Sequence, residues 1–163
     1  MVILGVDPGF SITGFGILKK EGGKSYLLNH GFLKMNPTKH LAERVAIFHD
    51  FFQEKITTHG VTHLSLETPF LGKNTQSFLK LGYLRGCLYL LAHKNKVALH
   101  EFSPREVKLS VTGFGGASKE QVASVVLRLF PRLELPKKLD VTDALAITLC
   151  GMWQAGSLQR NTL

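Results

Sequence analysis

Hydrophobic and polar positions change period several times along this chain, and each change marks an element. Ile3, Leu4 and Val6 make a short apolar run interrupted by Gly5, the pattern of a buried strand, which ends at Asp7-Pro8-Gly9. Pro and Gly force a turn there, and Gly14-Phe15-Gly16-Ile17-Leu18 resumes as a second strand. After the Gly22-Gly23 turn, Ser25 to Lys34 reads as a third strand, so the opening is an antiparallel meander. The period then becomes helical. From Thr38, with Pro37 just ahead of it, Leu41, Val45, Phe48, Phe52 and Ile56 recur on one face as far as His59, and Gly60 stops the helix. Val61 to Glu67 is a fourth strand that, like the first, ends in an acid, and Pro69 stops it. The loop Phe70-Leu71-Gly72-Lys73-Asn74 leads into a long helix from Thr75 to Lys94, and Val97 to Phe102 forms a fifth strand at the sheet edge.

Ser103-Pro104-Arg105-Glu106 opens the next helix with a cap, a proline at the first helical position and a capping-box glutamate. That helix ends before Gly113-Phe114-Gly115-Gly116. Ser118-Lys119-Glu120-Gln121 is a second capping box, whose helix turns Val122, Val125, Val126, Leu129 and Phe130 inward until Pro131 terminates it. Pro136 to Leu139 is a basic linker, and the last helix starts near Asp140 and runs through Ala144, Leu145, Ile147, Thr148 and Met152. The order β-β-β-α-β-α-β-α-α-α predicts an α/β fold: a mixed five-stranded sheet with helices on both faces. The expected boundaries are one domain over residues 1–155 and a frayed tail over 156–163.

Composition narrows the class. A chain of 163 residues, 44% hydrophobic and 20% charged, suits one globular core and excludes a disordered chain. Lys and Arg outnumber Asp and Glu by 20 to 12, a formal charge of +8. Such a balance favours a polyanionic partner, nucleic acid first, the alternative being a basic protein kept soluble by its charge. No apolar run approaches the ~20 residues of a membrane span. Cys87 and Cys150 sit in apolar helical stretches without metal-ligand spacing and read as buried free thiols. With no basic leader ahead of an apolar segment, a cytoplasmic protein is expected. The seven histidines show no ligand spacing either.

Four acids change the picture further. Right-handed crossover geometry lets the first and fourth strands lie side by side and parallel, which sets Asp7 and Glu67 at one edge of the sheet. Asp140 and Asp143 are about 300° apart around a helix, so they share a face, and the helix N-terminus favours their charge. The alternatives are a turn role for Asp7, an N-cap role for Asp140 and plain exposure for Asp143. Four carboxylates in one cleft would repel by roughly 4 kcal/mol per pair at ~4 Å with an effective dielectric near 20, so a cation is expected among them. Oxygen ligands without a Cys/His cluster point to Mg²⁺ or Mn²⁺ rather than zinc. Two such ions about 3.5–4 Å apart can activate water and stabilise the leaving oxygen of a phosphodiester.

The segments ILGVDPGFSITGFG, LSLETPFLGKNTQSFLKLGYLRG, SPREVKLSVTGFGGASKEQV and DVTDALAIT resemble, in order and spacing, the RuvC-type Holliday-junction resolvases over residues 3 to 150. The resemblance implies an RNase H-like fold, a homodimer, Mg²⁺-dependent symmetric nicking of four-way junction DNA, and partnership with the RuvA–RuvB branch-migration complex. It implies two Mg²⁺ per site, with Mn²⁺ as a substitute. Asp7, Glu67, Asp140 and Asp143 match the family's metal-binding acids, Phe70 its stacking aromatic, and Lys108 and Lys119 its basic residues near the scissile phosphate. Two departures stand out: Phe15 where the family usually has Tyr, and Thr68-Pro69 just before the stacking loop.

Read without the family, each of these residues keeps a plainer alternative. Phe70 can fold back onto its own domain, and Lys108 and Lys119 can be solvated surface lysines. Lys73, Arg105 and Arg85 are further candidates for phosphate contact, and the Gly113–Gly116 turn either admits a phosphate or only joins two helices. Gly82 and Gly86 mark either a dimer contact or close packing within the monomer. Two other functions compete. DPGFSITG resembles the first phosphate loop of actin-like kinases, but the second acidic glycine loop and second domain are not found in this sequence. A nucleic-acid-binding protein with a decayed RNase H-like site would not keep all four acids.

Overall fold

The structure, a computed structural model, describes residues 1–69, 75–131, 133 and 140–158. Five strands form one sheet: β1 (Val2–Asp7), β2 (Ile12–Glu21), β3 (Lys24–Lys34), β4 (His63–Glu67) and β5 (Ala98–Phe102), in the spatial order β3-β2-β1-β4-β5. β1, β2 and β3 pair antiparallel, whereas β1–β4 and β4–β5 are parallel. The predicted meander, the parallel pairing of the two acid-ended strands and the edge position of β5 are all found.

Helices α1 (Leu41–His59) and α2 (Thr75–Lys94) cover one face of the sheet; α3 (Pro104–Thr112), α4 (Lys119–Leu129) and α5 (Asp140–Leu158) cover the other. The first face is packed with rings: Phe52 lies 4.7 Å from Phe48, 5.1 Å from Phe51 and 6.3 Å from Phe15, centroid to centroid. Phe15 is buried there edge-on to Phe51 and Phe52. The second face is lined by smaller side chains of α5, including Ala144, Leu145 and Thr148. Cys87 and Cys150 are buried free thiols, one in each layer, as expected.

Three boundaries differ from expectation. α1 begins at Leu41 instead of Thr38, because Asn36 Oδ1 accepts from both the N–H (3.0 Å) and the hydroxyl (2.9 Å) of Thr38 and closes a turn there. A short polar side chain that captures a nearby N–H competes directly with the helix ladder. β4 begins at His63 instead of Val61, since the N–H of Val61 is drawn back to the Ile56 carbonyl at the end of α1. α5 runs on to Leu158, so Gly156 lies inside the helix; one interior glycine costs a helix only about 1 kcal/mol.

Gly82 and Gly86 do not serve packing within the described monomer: a Cβ at either would meet nothing within 4 Å. They lie with exposed Leu79, Tyr83 and Leu90 on the outer face of α2. Among the described residues, no helix is long and apolar enough to cross a membrane.

Candidate active site

β1 and β4 run in register from Ile3–His63 to Val6–Leu66, so Asp7 and Glu67 emerge side by side at the same end of the sheet. α5 lies across β1 and β2 at unusually short range. A Cβ at Gly5 would sit 2.6 Å from the Thr148 nitrogen and 2.7 Å from the Ala144 oxygen, and one at Gly14 would sit 2.6 Å from the Asp140 carbonyl carbon. Only residues without a Cβ admit a helix backbone this close to a strand. The Thr148 hydroxyl, which donates to the Ala144 carbonyl at 2.7 Å, also reaches the Gly16 carbonyl at 3.3 Å. The seat made by these glycines carries the first turn of α5, with Asp140 and Asp143, to the ends of β1 and β4.

The opposite wall comes from two capped helices. Ser103 Oγ accepts from the Glu106 N–H (3.2 Å) while the Ser103 N–H donates to Glu106 (2.7 Å); Ser118 and Gln121 repeat the exchange at 3.3 and 2.8 Å. Both capping boxes read from the sequence are present, and they set Lys108 on α3 and Lys119 at the first position of α4. Between the walls lies a cleft of about 360 Å³, lined among others by Asp7, Glu67, Asp143, Lys108, Lys119 and Arg85. Asp140 acts on Asp7 through its charge but does not line the cleft.

The electrostatics are those of crowded acids. Burial, and then the charges of Asp143, Glu67 and Asp140, push the Asp7 carboxyl up to about 7, against the partial relief of Lys119. Glu67 is raised as well, by burial and by Asp143, with Lys119, Lys108 and Arg85 pulling the other way. The Lys119 ammonium donates to Asp143 Oδ2 at 3.0 Å, and this contact raises its own pKa. Among the described residues, no three His, Cys, Asp or Glu side chains already close into a cage around one point. The donor set nevertheless fits a hard divalent cation: it is all carboxylate oxygen, and the proton that Asp7 retains near neutral pH is what a dication would displace.

The profile of a family described as "Crossover junction endodeoxyribonuclease RuvC" matches residues 3–151, a span that contains all four acids and both lysines. The chain belongs to the RuvC family. It is 45% identical over 157 residues to the crossover junction endodeoxyribonuclease RuvC of Pelodictyon phaeoclathratiforme, covering 96% of this chain and 82% of the relative. It is 42% identical over 161 residues to that of Chlorobium phaeovibrioides, covering 98% and 85%. Among solved structures it resembles T. thermophilus RuvC in complex with Holliday junction substrate, with a TM-score of 0.88, 29% identity, and 95% and 94% of the two chains covered.

Of the DNA-contacting positions implied by the likeness to RuvC, Lys108 and Lys119 stand in the cleft. Arg105 is exposed and packs along the backbone at Gly115, outside the cleft lining. Phe70 and Lys73 lie outside the described residues. Arg85, a further candidate for phosphate contact, lines the cleft but is buried and ion-paired to Glu101. Sequence reading also missed Arg44, which is buried in α1, donates to the Phe10 carbonyl and lies 3.8 Å from the centre of the Phe10 ring. The two arginines have one arrangement in common. Each grips main chain at or just after a strand that ends in a site acid, Arg85 at Glu67 itself and Arg44 three residues past Asp7. The signal for Arg44 was its spacing, four residues before Phe48 on the stripe continued by Phe52 and Ile56.

Proposed function

We propose that this chain is a structure-selective DNA endonuclease that resolves four-way (Holliday) junctions by symmetric, metal-dependent phosphodiester hydrolysis. The products would carry 5′-phosphate and 3′-hydroxyl ends. The observation that carries the reading is the cleft in which Asp7, Glu67 and Asp143 meet beside Lys108 and Lys119, in a chain of the RuvC family. Asp7, Glu67, Asp140 and Asp143 would hold Mg²⁺, two ions per site, with Mn²⁺ as a substitute. Those ions supply the Lewis acidity that activates water and stabilises the leaving oxygen of a phosphodiester.

The remaining tasks fall to the chain's own side chains. Asp7, between the acids of β4 and α5, is the shared carboxylate of the site. Lys108 and Lys119 bring ammonium groups to the rim, where a phosphodiester backbone releases counterions on binding and gains charge as it reacts. Lys119 is already held by Asp143, so it also limits repulsion among the acids before DNA arrives. Phe70 would supply a stacking ring, worth roughly 1–3 kcal/mol on an unpaired base, and Lys73 and Arg105 would be further cations for the DNA backbone.

Symmetric nicking requires two sites, hence a homodimer, and the exposed Leu79, Tyr83, Leu90 and glycine face of α2 supports that assembly. Partnership with RuvA–RuvB and a cytoplasmic location follow from the same family reading. The test is Asp7→Asn with synthetic four-way junctions and Mg²⁺. The expected result is retained junction binding with cleavage lost; cleavage that survives in this variant would remove Asp7 from the site.

A further inference from the structure

Arg85 is a buried cation at the floor of the cleft, with only 7% of its side chain exposed. A guanidinium stays charged at any working pH, so burying one demands partners for its donors. Its partners here come from three elements. One nitrogen donates to the main-chain carbonyl of Glu67 at the end of β4. The other donates to the Glu101 carboxylate on β5 and reaches the Tyr89 hydroxyl on α2 at 3.2 Å. Tyr89 in turn donates to the same Glu101 oxygen at 2.7 Å. β4 and β5 are neighbours, with Leu66 opposite Glu101 and Glu67 opposite Phe102, so the fork spans the last rung of the parallel pair. It also ties α2 back to the strand that precedes it.

An ion pair made only for stability could sit anywhere in the core. This one ends on the main chain of Glu67, and the same guanidinium lines the cleft that the Glu67 side chain enters. Its charge also favours the ionised form of Glu67, alongside Lys119 and Lys108. We propose that Arg85 is a positioning residue for the divalent-cation site: braced by Glu101 and Tyr89, it fixes the end of β4 so that the Glu67 carboxylate faces Asp7 and Asp143. The proposal rests on the reading of Glu67 as a cation ligand. Glu101→Gln weakens the brace without touching Glu67, so its effect has the same direction and a smaller size.

The experiment is Mn²⁺ binding by calorimetry on the full chain, with no DNA present, for wild type, Arg85→Met, Arg85→Lys, Glu101→Gln and Glu67→Gln, each checked by thermal melting. Partners that orient a metal ligand typically change metal affinity by roughly 10–100-fold. Arg85→Met is expected to weaken Mn²⁺ binding by about 10-fold or more, and Arg85→Lys, which keeps the charge and loses the fork, by less. If Arg85→Met does not fold, Arg85→Lys decides: weaker Mn²⁺ binding at a native melting temperature supports the proposal, and wild-type affinity overturns it. Weakened binding in Glu67→Gln together with wild-type affinity in the folded Arg85 variants overturns the positioning role alone. Unchanged affinity in Glu67→Gln overturns the reading of Glu67 as a ligand, and the proposal with it.

Discussion

The two faces of the sheet are packed by opposite means. Against α1 and α2, β1 and β2 present Leu4, Val6, Phe15 and Ile17 to a layer of phenylalanines. Against α5 the same strands present Gly5, Gly14 and Gly16, and the helix backbone comes down to the strand backbone. Rings fill volume and tolerate adjustment, because a buried side chain can repack by changing rotamer. A backbone seated on a backbone has no rotamer to change and can yield only by moving the helix. The ring-filled face therefore concentrates burial, and the glycine face concentrates precision. The second is the one that delivers two of the four acids.

The largest expected effect belongs to the ring-filled face. Phe52 is fully buried among three other rings. Phe52→Ala should lower unfolding free energy by about 3–5 kcal/mol, read from the urea midpoint. If the two faces are separable, the molecules that remain folded should cleave junctions at a rate close to wild type. A loss of cleavage per folded molecule would show that the α1–α2 layer also governs the geometry of the acids.

Next in size is the electrostatic cost carried at the acid end. Asp7 keeps its proton to about 7 in the folded protein, against 3.8 for a free carboxyl. The folded state thus binds more protons than the unfolded state between those values, and stability must fall as pH rises through that window. The full effect for metal-free protein is on the order of 4 kcal/mol, complete only above pH 7. Glu67, raised in the same sense, adds to it. His63 and His100, held low chiefly by burial, act oppositely: they add stability as pH rises towards 6.5. The quantity to measure is accordingly the difference between wild type and Asp7→Asn, by urea unfolding in EDTA from pH 4 to 8. Asp7→Asn should become the more stable of the two as pH increases. A difference that stays flat would mean that the acids are less crowded than the cleft implies.

How much of this was legible in the sequence follows the same division. Local rules found what local interactions determine: the serine-led capping boxes at Ser103 and Ser118, the phenylalanine stripe of α1, and the acids closing two strands. Crossover handedness allowed β1 to lie beside β4, and the two strands are found paired in parallel. The missed features depend on contacts distant in sequence. Gly5 reads as an interruption in an apolar strand, and nothing nearby in the chain says that α5 will occupy the space of its missing side chain. Arg85 reads from the sequence as a candidate for phosphate contact and Arg44 drew no reading at all; only the tertiary structure shows the carbonyls they hold. The start of α1 failed for a local reason, the competition of Asn36 for the N–H of Thr38.

The smallest expected change in stability is the sharpest probe of the comparison. Gly14 carries no left-handed strain, so an alanine there is opposed by contact alone: its Cβ would lie 2.6 Å from the Asp140 carbonyl carbon. Overpacking of this kind costs about 1–3 kcal/mol, less than Phe52→Ala. The chain can relieve it by lifting the first turn of α5 away from β2, and that movement carries Asp140 and Asp143 with it. A displacement near 1 Å at reacting groups can cost about 100-fold in rate. Gly14→Ala is therefore expected to lose roughly two orders of magnitude in junction cleavage per folded molecule, while Phe52→Ala, the more destabilised protein, loses little. The check is single-turnover cleavage normalised to the folded fraction, beside Mn²⁺ affinity for each variant. Should Gly14→Ala cleave in simple proportion to its folded fraction, α5 is not seated by these glycines in the way that matters for the acids. The two faces would then differ in packing style alone.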